Sequence, residues 1–186
     1  MDLRVAKTKN AIINSFLSIR AKKPLEKITV RELCQMAMIN KSTFYSHYGD
    51  IYELSDSLEN EVVMSVIDSM DHPEYIVENS GEFTRELLFG YLSQDHLIQI
   101  LFSDNRSSLL VSKIERALKE LVFEKYPELR LDPVSNMGLT FAIYGGYYAY
   151  AQGKNQGRDP GLVVSVLQEL TKKVGECLMP KNDPYV

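Results

Sequence analysis

Apolar residues recur at helical spacing along most of the chain, and short polar segments with proline or glycine separate these stretches. In the first stretch, over about 3–21, Ile12 and Phe16 lie four residues apart and so share one helix face. Pro24 ends that pattern, because proline cannot continue a helix. No segment alternates apolar and polar residues as a half-buried strand does. The pattern therefore predicts an all-α protein.

A strong start signal precedes the second predicted helix, over about 29–37. Thr29 is followed three residues later by Glu32, which is the spacing of a capping box. Ile28 and Leu33 stand where a hydrophobic staple packs across the same turn. A helix is expected to begin here and to bury one apolar face.

A third helix is predicted over about 40–47, after a tight turn. Asn40 is suited to cap its first turn, while Phe44 and Tyr48 lie four residues apart and are predicted to face the core. Gly49 ends the helix. Two short helices joined by a tight turn form the helix-turn-helix arrangement, whose second helix enters the major groove of DNA.

A fourth helix is predicted over about 50–69, after the cap-like pair Asp50 and Glu53. Residues 70–73 interrupt it and mark the best candidate for a domain boundary. Later helices are predicted over about 74–79, 82–93, 95–103, 106–126, 134–154 and 160–179. The predicted organisation is a three-helix helix-turn-helix head over 1–49, a linking helix over 50–69, and a helical ligand-binding and dimerisation domain over 70–186.

Composition narrows the class of protein. The chain is 45% hydrophobic and 25% charged, as globular domains are, and it has no run of about 18 apolar residues that would predict a membrane span. The N-terminus lacks the apolar block of a signal peptide, so a cytoplasmic protein is expected. Cys34 and Cys177 match no metal spacing and are expected to be free thiols. No cofactor or metal site is predicted.

The charge is unevenly distributed. Residues 1–50 contain nine lysines or arginines and four acids, a balance of +5. Because the whole chain carries −4, the other 136 residues carry −9. A basic head on an acidic body indicates an anion-binding module attached to something else.

Helical spacing divides the third predicted helix into two faces. With Phe44 and Tyr48 facing the core, the opposite side consists of polar and aromatic residues that include hydrogen-bond donors, namely Lys41, Ser42, Tyr45 and Ser46, with Thr43 and His47 between the faces. No acidic residue lies between Glu32 and Asp50. Such a face is suited to phosphates and base edges.

Residues 28–54 read ITVRELCQMAMINKSTFYSHYGDIYEL, and this segment resembles the DNA-binding signature of the TetR/AcrR family of bacterial transcriptional regulators. Residues 141–155, FAIYGGYYAYAQGKN, and residues 159–170, DPGLVVSVLQEL, resemble the closing helix pair of a subgroup with a TetR-like C-terminal domain. The resemblance implies a regulator, in most cases a ligand-responsive repressor that binds a palindromic operator as a homodimer, and no enzymatic activity. Carried over by position, the resemblance implies base-facing or groove-facing roles for Arg31, Lys41, Ser42 and Thr43, and phosphate-contacting roles for Thr29, Tyr45 and His47.

Two positions depart from the family pattern. Met38 stands where the turn usually has glycine, and Ile51 stands where the fourth helix usually has a phosphate-binding lysine. Losing one phosphate contact would lower the salt dependence of DNA binding by roughly one counterion. These departures keep open an alternative function, an all-α ligand-binding or protein-interaction module, or a co-activator, that has weakened or lost DNA binding.

Local alternatives also exist within the third helix. Tyr45 could be a core aromatic, and His47 could be an ordinary surface histidine. Ser46, His47 and Asp50 offer a nucleophile, a base and an orienting group, but close neighbours at one helix end seldom form such a triad. A surface that contacts DNA is the favoured interpretation.

The family resemblance further implies an effector pocket between the middle helices, for a small molecule or with a protein partner as the signal instead. Its candidate lining residues are Leu88, Tyr91, Leu92, Leu101, Phe102, Ile114, Phe141, Tyr144 and Tyr148. An apolar helix face predicts plain core equally well at each of these positions.

A self-complementary surface is predicted on the last two helices. The penultimate helix has small residues at helical spacing, and the last has large aliphatic ones, so two copies could form a four-helix bundle about a two-fold axis. The candidate dimer residues are Ala142, Gly145, Gly146, Ala149, Leu162, Val166, Leu167 and Leu170. Packing within one chain is the alternative.

Overall fold

A computed structural model describes residues 3–72 and 75–178 of the chain. Every regular element in these two ranges is a helix, and they contain no strand, so the all-α prediction is confirmed. None of the described helices is long and apolar enough to cross a membrane. The side chain of Cys177 lies outside the described part of the chain, whereas Cys34 is a buried free thiol.

Ten α-helices are described in these ranges: α1 (Leu3–Arg20), α2 (Val30–Ala37), α3 (Lys41–Tyr45), α4 (Ile51–Asp68), α5 (Tyr75–Glu78), α6 (Ser80–Ser93), α7 (Asp95–Leu101), α8 (Ser107–Lys125), α9 (Pro133–Asn155) and α10 (Pro160–Leu178). Short 3₁₀ turns lie at Leu25–Lys27, Asp104–Arg106 and Pro127–Arg130. The predicted helix boundaries agree with these to within about two residues at most ends, which is the usual uncertainty of a helix terminus.

Side-chain caps explain where several helices begin. The Thr29 hydroxyl accepts the N–H of Glu32 at 3.3 Å, and Asp132 accepts the N–H of Ser135 at 2.7 Å at the start of α9. The start of α6 was predicted two residues too late, because Asn79 caps it by accepting the N–H of Glu82.

α3 is shorter than predicted, ending at Tyr45 instead of about residue 47. The N–H of His47 donates to the carbonyl of Phe44, three residues earlier, at 2.9 Å, so the final turn tightens beyond α-helical geometry. Both predicted core anchors of this helix are confirmed, since Phe44 is fully buried and Tyr48 is 7% exposed.

The chain divides into two compact units. The first contains the described parts of Met1–Val62 together with Asp95–Ser107, and the second contains those of Val63–Gln94 and Ser108–Val186. α4 begins in the first unit and ends in the second. The division into a DNA-binding head and an effector-binding domain stays a prediction.

The first unit combines α1 to α3, much of α4, and α7 with the turn that follows it. Ile12 and Phe16 of α1 are fully buried, as their spacing predicted. α7 packs on α1, and Arg20, at the end of α1, donates to Asp104 at 3.1 Å and to the Ser103 carbonyl at 3.3 Å. This later segment is therefore an integral part of the first unit.

A second ion pair holds the same segment. The carboxylate of Glu59 on α4 is fully buried and accepts from Arg106 at 2.5 Å and from the Ser55 hydroxyl at 2.8 Å. A buried carboxylate needs such partners, because removing charge from water is costly.

Ion pairs within the first unit reduce the number of unpaired cations in residues 1–50. Arg20 is buried against Asp104, Lys23 pairs with Glu32, and Lys9 pairs with Glu61 at 3.5 Å. Three of the nine cations counted within residues 1–50 are thus paired with acids inside the first unit. The positive charge offered to an outside anion is smaller than composition predicted.

In the second unit, α10 packs closely against α6. A methyl group added at Gly81 would lie 2.9 Å from the Gln168 carbonyl oxygen, and one added at Gly175 would lie 2.1 Å from the Ser80 hydroxyl. Glycine at both positions allows the two helices to approach this closely.

Candidate functional site

The first part of the candidate site is the start of α2. Thr29 is exposed and caps this helix through its hydroxyl, and Arg31 is exposed in the first turn. The predicted capping box is only half formed, because the carboxylate of Glu32 pairs with Lys23 instead of turning back to the helix end. Lys23 thereby neutralises the acid that lies nearest to this exposed turn.

The turn between α2 and α3 passes through Met38, which has left-handed backbone angles, φ 54° and ψ 42°. Its neighbour Ile39 donates to the carbonyl of Cys34 at 3.0 Å, which is the six-residue closure that usually has glycine at the left-handed position. The side chain of Met38 is 93% exposed. The turn therefore forms with methionine in place of glycine.

Asn40 organises the first turn of α3. Its side-chain oxygen accepts the N–H of Thr43 at 2.9 Å and the hydroxyls of Ser42 and Thr43, each at 2.7 Å. The predicted cap is thus present, and it also fixes two of the predicted base-facing side chains. The sequence predicts Asn40 only as a cap, and its role in holding the Ser42 and Thr43 hydroxyls is seen only in the structure.

The two faces of α3 differ in burial as predicted. Lys41 and Ser42 are exposed, Thr43 and His47 are half-buried, and Tyr45 is 55% exposed. The Tyr45 ring meets the buried Phe44 ring edge-on, with centroids 5.5 Å apart. The interpretation of Tyr45 as a core aromatic is therefore wrong, and its hydroxyl end is accessible to a partner.

The core behind α3 is apolar. Burial, reinforced by Glu61 and Glu53, raises the pKa of the Tyr48 hydroxyl. Burial also raises the pKa of the Cys34 thiol, although nearby Lys41 acts to lower it. Both groups stay neutral at physiological pH, which suits a structural role.

Ser46 and Asp50 are both engaged in helix-end contacts. The Ser46 hydroxyl donates to the Thr43 carbonyl at 2.7 Å, and Asp50 accepts the N–H of Glu53 at 2.8 Å. Glu53 in turn accepts the N–H of Gly49 at 2.7 Å, so this pair closes the start of α4 reciprocally. These contacts account for both side chains without a catalytic role.

Ile51, which replaces the expected lysine, is only 5% exposed and belongs to the core of the first unit. The accessible side chain at this end of α4 is Tyr52, which is 55% exposed. The sequence shows that isoleucine stands in place of lysine at position 51, but the burial of this side chain is seen only in the structure. Tyr52 offers a hydroxyl at this helix end and no positive charge.

Comparison with protein-family models and with curated proteins found no match to this chain. Within the described side chains, no three histidine, cysteine, aspartate or glutamate residues come together as metal ligands would. Function is therefore inferred from the chain's own residues.

The second unit contains an apolar cavity of about 80 Å³ between α6, α8, α9 and α10. Three of the candidate pocket residues, Leu88, Tyr91 and Ile114, line this cavity. Tyr147 also lines it, and burial raises the pKa of its hydroxyl, with a smaller contribution from Tyr148.

The other predicted pocket residues lie elsewhere. Leu101 and Phe102 are buried in the first unit, while Phe141 and Tyr148 are 67% and 49% exposed. Leu92 packs beside the core cluster formed around Leu88, and Tyr144 stacks obliquely near Tyr148. The helical period identified apolar positions, but it could not tell which apolar face borders the cavity.

Exposed apolar residues follow one face of α9 and one face of α10, and we call them the outer face. They are Val134, Met137, Phe141, Gly145, Tyr148 and Ala149 on α9, and Leu162, Val166 and Leu170 on α10. Five predicted dimer residues belong to this set. The remaining three, Ala142, Gly146 and Leu167, line the cavity, and Leu167 also belongs to the buried core cluster around Leu88.

Proposed function

We propose that this chain is a sequence-specific DNA-binding transcriptional regulator that acts as a homodimer. One observation carries the proposal: Phe44 and Tyr48 anchor α3 in the core, which leaves Lys41 and Tyr45 accessible on a helix that follows a tight turn. A helix held in this way, with α2 before it, supports a helix-turn-helix in which α3 would read the major groove.

The residues divide into two roles. Arg31, Lys41, Ser42 and Thr43 would read base edges, with the two hydroxyls held in place by Asn40. Thr29, Tyr45 and His47 would bind phosphates and so set the register on the duplex.

A homodimer would supply two such heads. One short helix reads few bases, whereas two helices about 34 Å apart enter successive major grooves and read a palindrome. The outer face supports pairing of two copies, because side chains such as Phe141 and Leu170 are apolar and exposed on adjacent helices.

The proposal includes a small-molecule effector bound in the cavity. A ligand that binds one conformation of the second unit better than another would shift the balance between them, by no more than its difference in affinity. α4 runs from the first unit into the second and could convey that shift to the DNA-binding helices. The regulator would then release or bind its operator in response to the ligand.

The DNA-binding part is tested with a duplex selected from random sequences and with the double variant Tyr45→Ala/His47→Ala. Because each of the two heads loses two contacts of about 1 kcal/mol, four in all, binding should weaken by roughly 1,000-fold. The slope of log affinity against log salt should stay nearly unchanged, since neither contact is made by a lysine or an arginine. Fluorescence anisotropy at several salt concentrations measures both quantities.

His96→Ala is the matched control, because His96 is exposed on α7 of the same unit and is outside the proposed interface. If the double variant binds the selected duplex as tightly as the unaltered protein, the assignment of Tyr45 and His47 is rejected.

The alternative, an all-α ligand-binding or protein-interaction module without DNA binding, is favoured by one observation. Ile51 is buried at the position where the resembling family has a phosphate-binding lysine. This alternative predicts that no duplex is selected even at low salt, a condition that strengthens contacts with phosphates.

A further inference from the structure

The wall of the cavity in the second unit is mostly apolar. Its lining includes the rings of Phe83, Tyr91 and Tyr150 and the aliphatic side chains of Leu139 and Ile114. Among the described residues that line it there is no lysine, arginine, histidine, aspartate or glutamate. An ionised ligand would lose its hydration here without gaining an opposite charge, which is strongly unfavourable.

The polar groups at one end of the cavity are already engaged. The Ser80 hydroxyl donates to the Thr171 carbonyl at 3.0 Å, and the Thr84 hydroxyl donates to the Ser80 carbonyl at 2.8 Å. The Thr171 hydroxyl donates to the Leu167 carbonyl at 2.8 Å. The Thr84 and Thr171 hydroxyl oxygens also lie 2.8 Å apart, within hydrogen-bond distance of each other. A ligand could therefore only donate a hydrogen bond to a remaining lone pair of these oxygens.

The cavity contains unfilled space beside Gly146 of α9. A methyl group added at Gly146, which lines the cavity, would meet no atom within 4 Å. The close approach at Gly81 and Gly175 holds α6 against α10 on another side of the cavity, where added methyl groups would meet neighbouring atoms at 2.9 Å and 2.1 Å. The free volume is therefore bordered by a tightly packed helix pair and by the small residue on α9.

We propose that this cavity binds a small uncharged molecule of hydrocarbon character, no larger than a single six-membered ring, with at most one hydroxyl group. The volume of about 80 Å³ is about half that of an apolar protein cavity of about 150 Å³ that binds benzene, so a single ring is the upper limit for a ligand. A ligand hydroxyl would donate to the oxygen of Thr84 or Thr171. The proposal names the chemical class of the effector and rests on the proposed function only for its consequence at DNA.

The test uses three probes that contain the same six-membered aromatic ring: benzene, phenol and benzoate. Each is added to the whole 186-residue chain in the absence of DNA. Benzene and phenol should raise the thermal unfolding midpoint by about 3–5 °C at tenfold excess over their Kd. Benzoate should leave the midpoint unchanged, because no cation among the described lining residues would offset the lost hydration of its carboxylate. Isothermal titration then gives the Kd of each probe.

Gly146→Ala and Gly145→Ala form a matched pair of variants. Both replace a glycine within α9, and neither added methyl would meet an atom within 4 Å, so both should fold. Only the methyl at position 146 enters the cavity, so Gly146→Ala should weaken benzene binding by at least about tenfold. Gly145→Ala, on the outer face, should bind benzene as the unaltered protein does.

Three results would overturn the proposal: no stabilisation by either neutral probe, binding of benzoate as tight as that of benzene, or equal Kd values for benzene in the two variants. Absence of DNA binding, measured separately by anisotropy, would reject the proposed function and leave these ligand measurements standing.

Discussion

Met38 shows how a single residue can have a backbone conformation that its side chain disfavours. Its φ of 54° lies in the left-handed region, which costs a residue with a Cβ atom about 1–2 kcal/mol. With 93% of the side chain exposed, packing contributes little to offset that cost. The turn before α3 is therefore strained at the position where glycine is usual.

Replacing Met38 with glycine should stabilise the protein. We expect Met38→Gly to raise the free energy of unfolding by roughly 0.5–1 kcal/mol, less than the full strain, because glycine also increases the entropy of the unfolded chain. Urea denaturation followed by circular dichroism measures the change.

Met36 provides a matched control two residues earlier. It is 48% exposed and lies within α2, where glycine should instead destabilise the protein by about 1 kcal/mol. If both glycine variants lost the same stability, the left-handed conformation at Met38 would be refuted.

At the scale of the element, α9 depends on the cap at its first turn. Asp132 accepts a hydrogen bond from the Ser135 hydroxyl at 2.5 Å and from the Ser135 N–H at 2.7 Å. These contacts hold the pKa of the Asp132 carboxyl below its usual value. The ionised carboxylate is thus the form that the start of the helix stabilises.

The lowered pKa predicts a dependence of stability on pH. Asp132 contributes stability that is fully present above its unfolded pKa of about 4, and that stability is lost as the pH falls through the lower folded value. Asp132→Asn, which keeps a capping oxygen, should remove this part of the acid sensitivity. The thermal unfolding midpoints of the variant and the unaltered protein, measured between pH 7 and pH 3, show whether this acid sensitivity is lost.

Ser135→Ala should remove one of the two hydrogen bonds and give an intermediate pH dependence. An Asp132→Asn protein whose unfolding midpoint follows the same pH curve as the unaltered protein would show that this carboxylate contributes nothing to acid sensitivity.

At the scale of the whole molecule, the outer face of α9 and α10 is an exposed apolar surface. α9 borders the cavity through Gly146 and bears exposed Phe141 on the outer face. A ligand and a second copy of the chain would therefore contact different sides of the same helix.

A charge on the outer face should break the proposed dimer. Leu170 is 51% exposed on α10, and Leu170→Asp would place two unpaired carboxylates in the interface, one from each copy. The dimer dissociation constant should rise at least about 100-fold, and analytical ultracentrifugation should detect monomers. The affinity of the protein for a palindromic duplex should fall as the dimer dissociates.

Phe89→Asp is the matched control, because Phe89 is 53% exposed on α6 of the same unit and lies outside the outer face. Dissociation caused by Phe89→Asp but not by Leu170→Asp would move the interface away from α9 and α10.

Local chemistry made much of the helical layout predictable. The side-chain oxygens of Thr29 and Asn40 cap the starts of α2 and α3 by accepting N–H groups three residues later. Because such contacts span only three residues, the sequence alone predicts them. The two faces of α3 were predictable for the same reason, since burial of Phe44 and Tyr48 follows from the helical period alone.

Contacts between distant residues could not be predicted in this way. Arg20 was counted as part of a basic head, yet it is buried against Asp104, 84 residues later. Phe141 and Ala142 are adjacent in sequence, but one is exposed on the outer face and the other lines the cavity. Helical period tells which residues share a face, whereas the partner of each face depends on how the helices pack, and that is set by the tertiary structure.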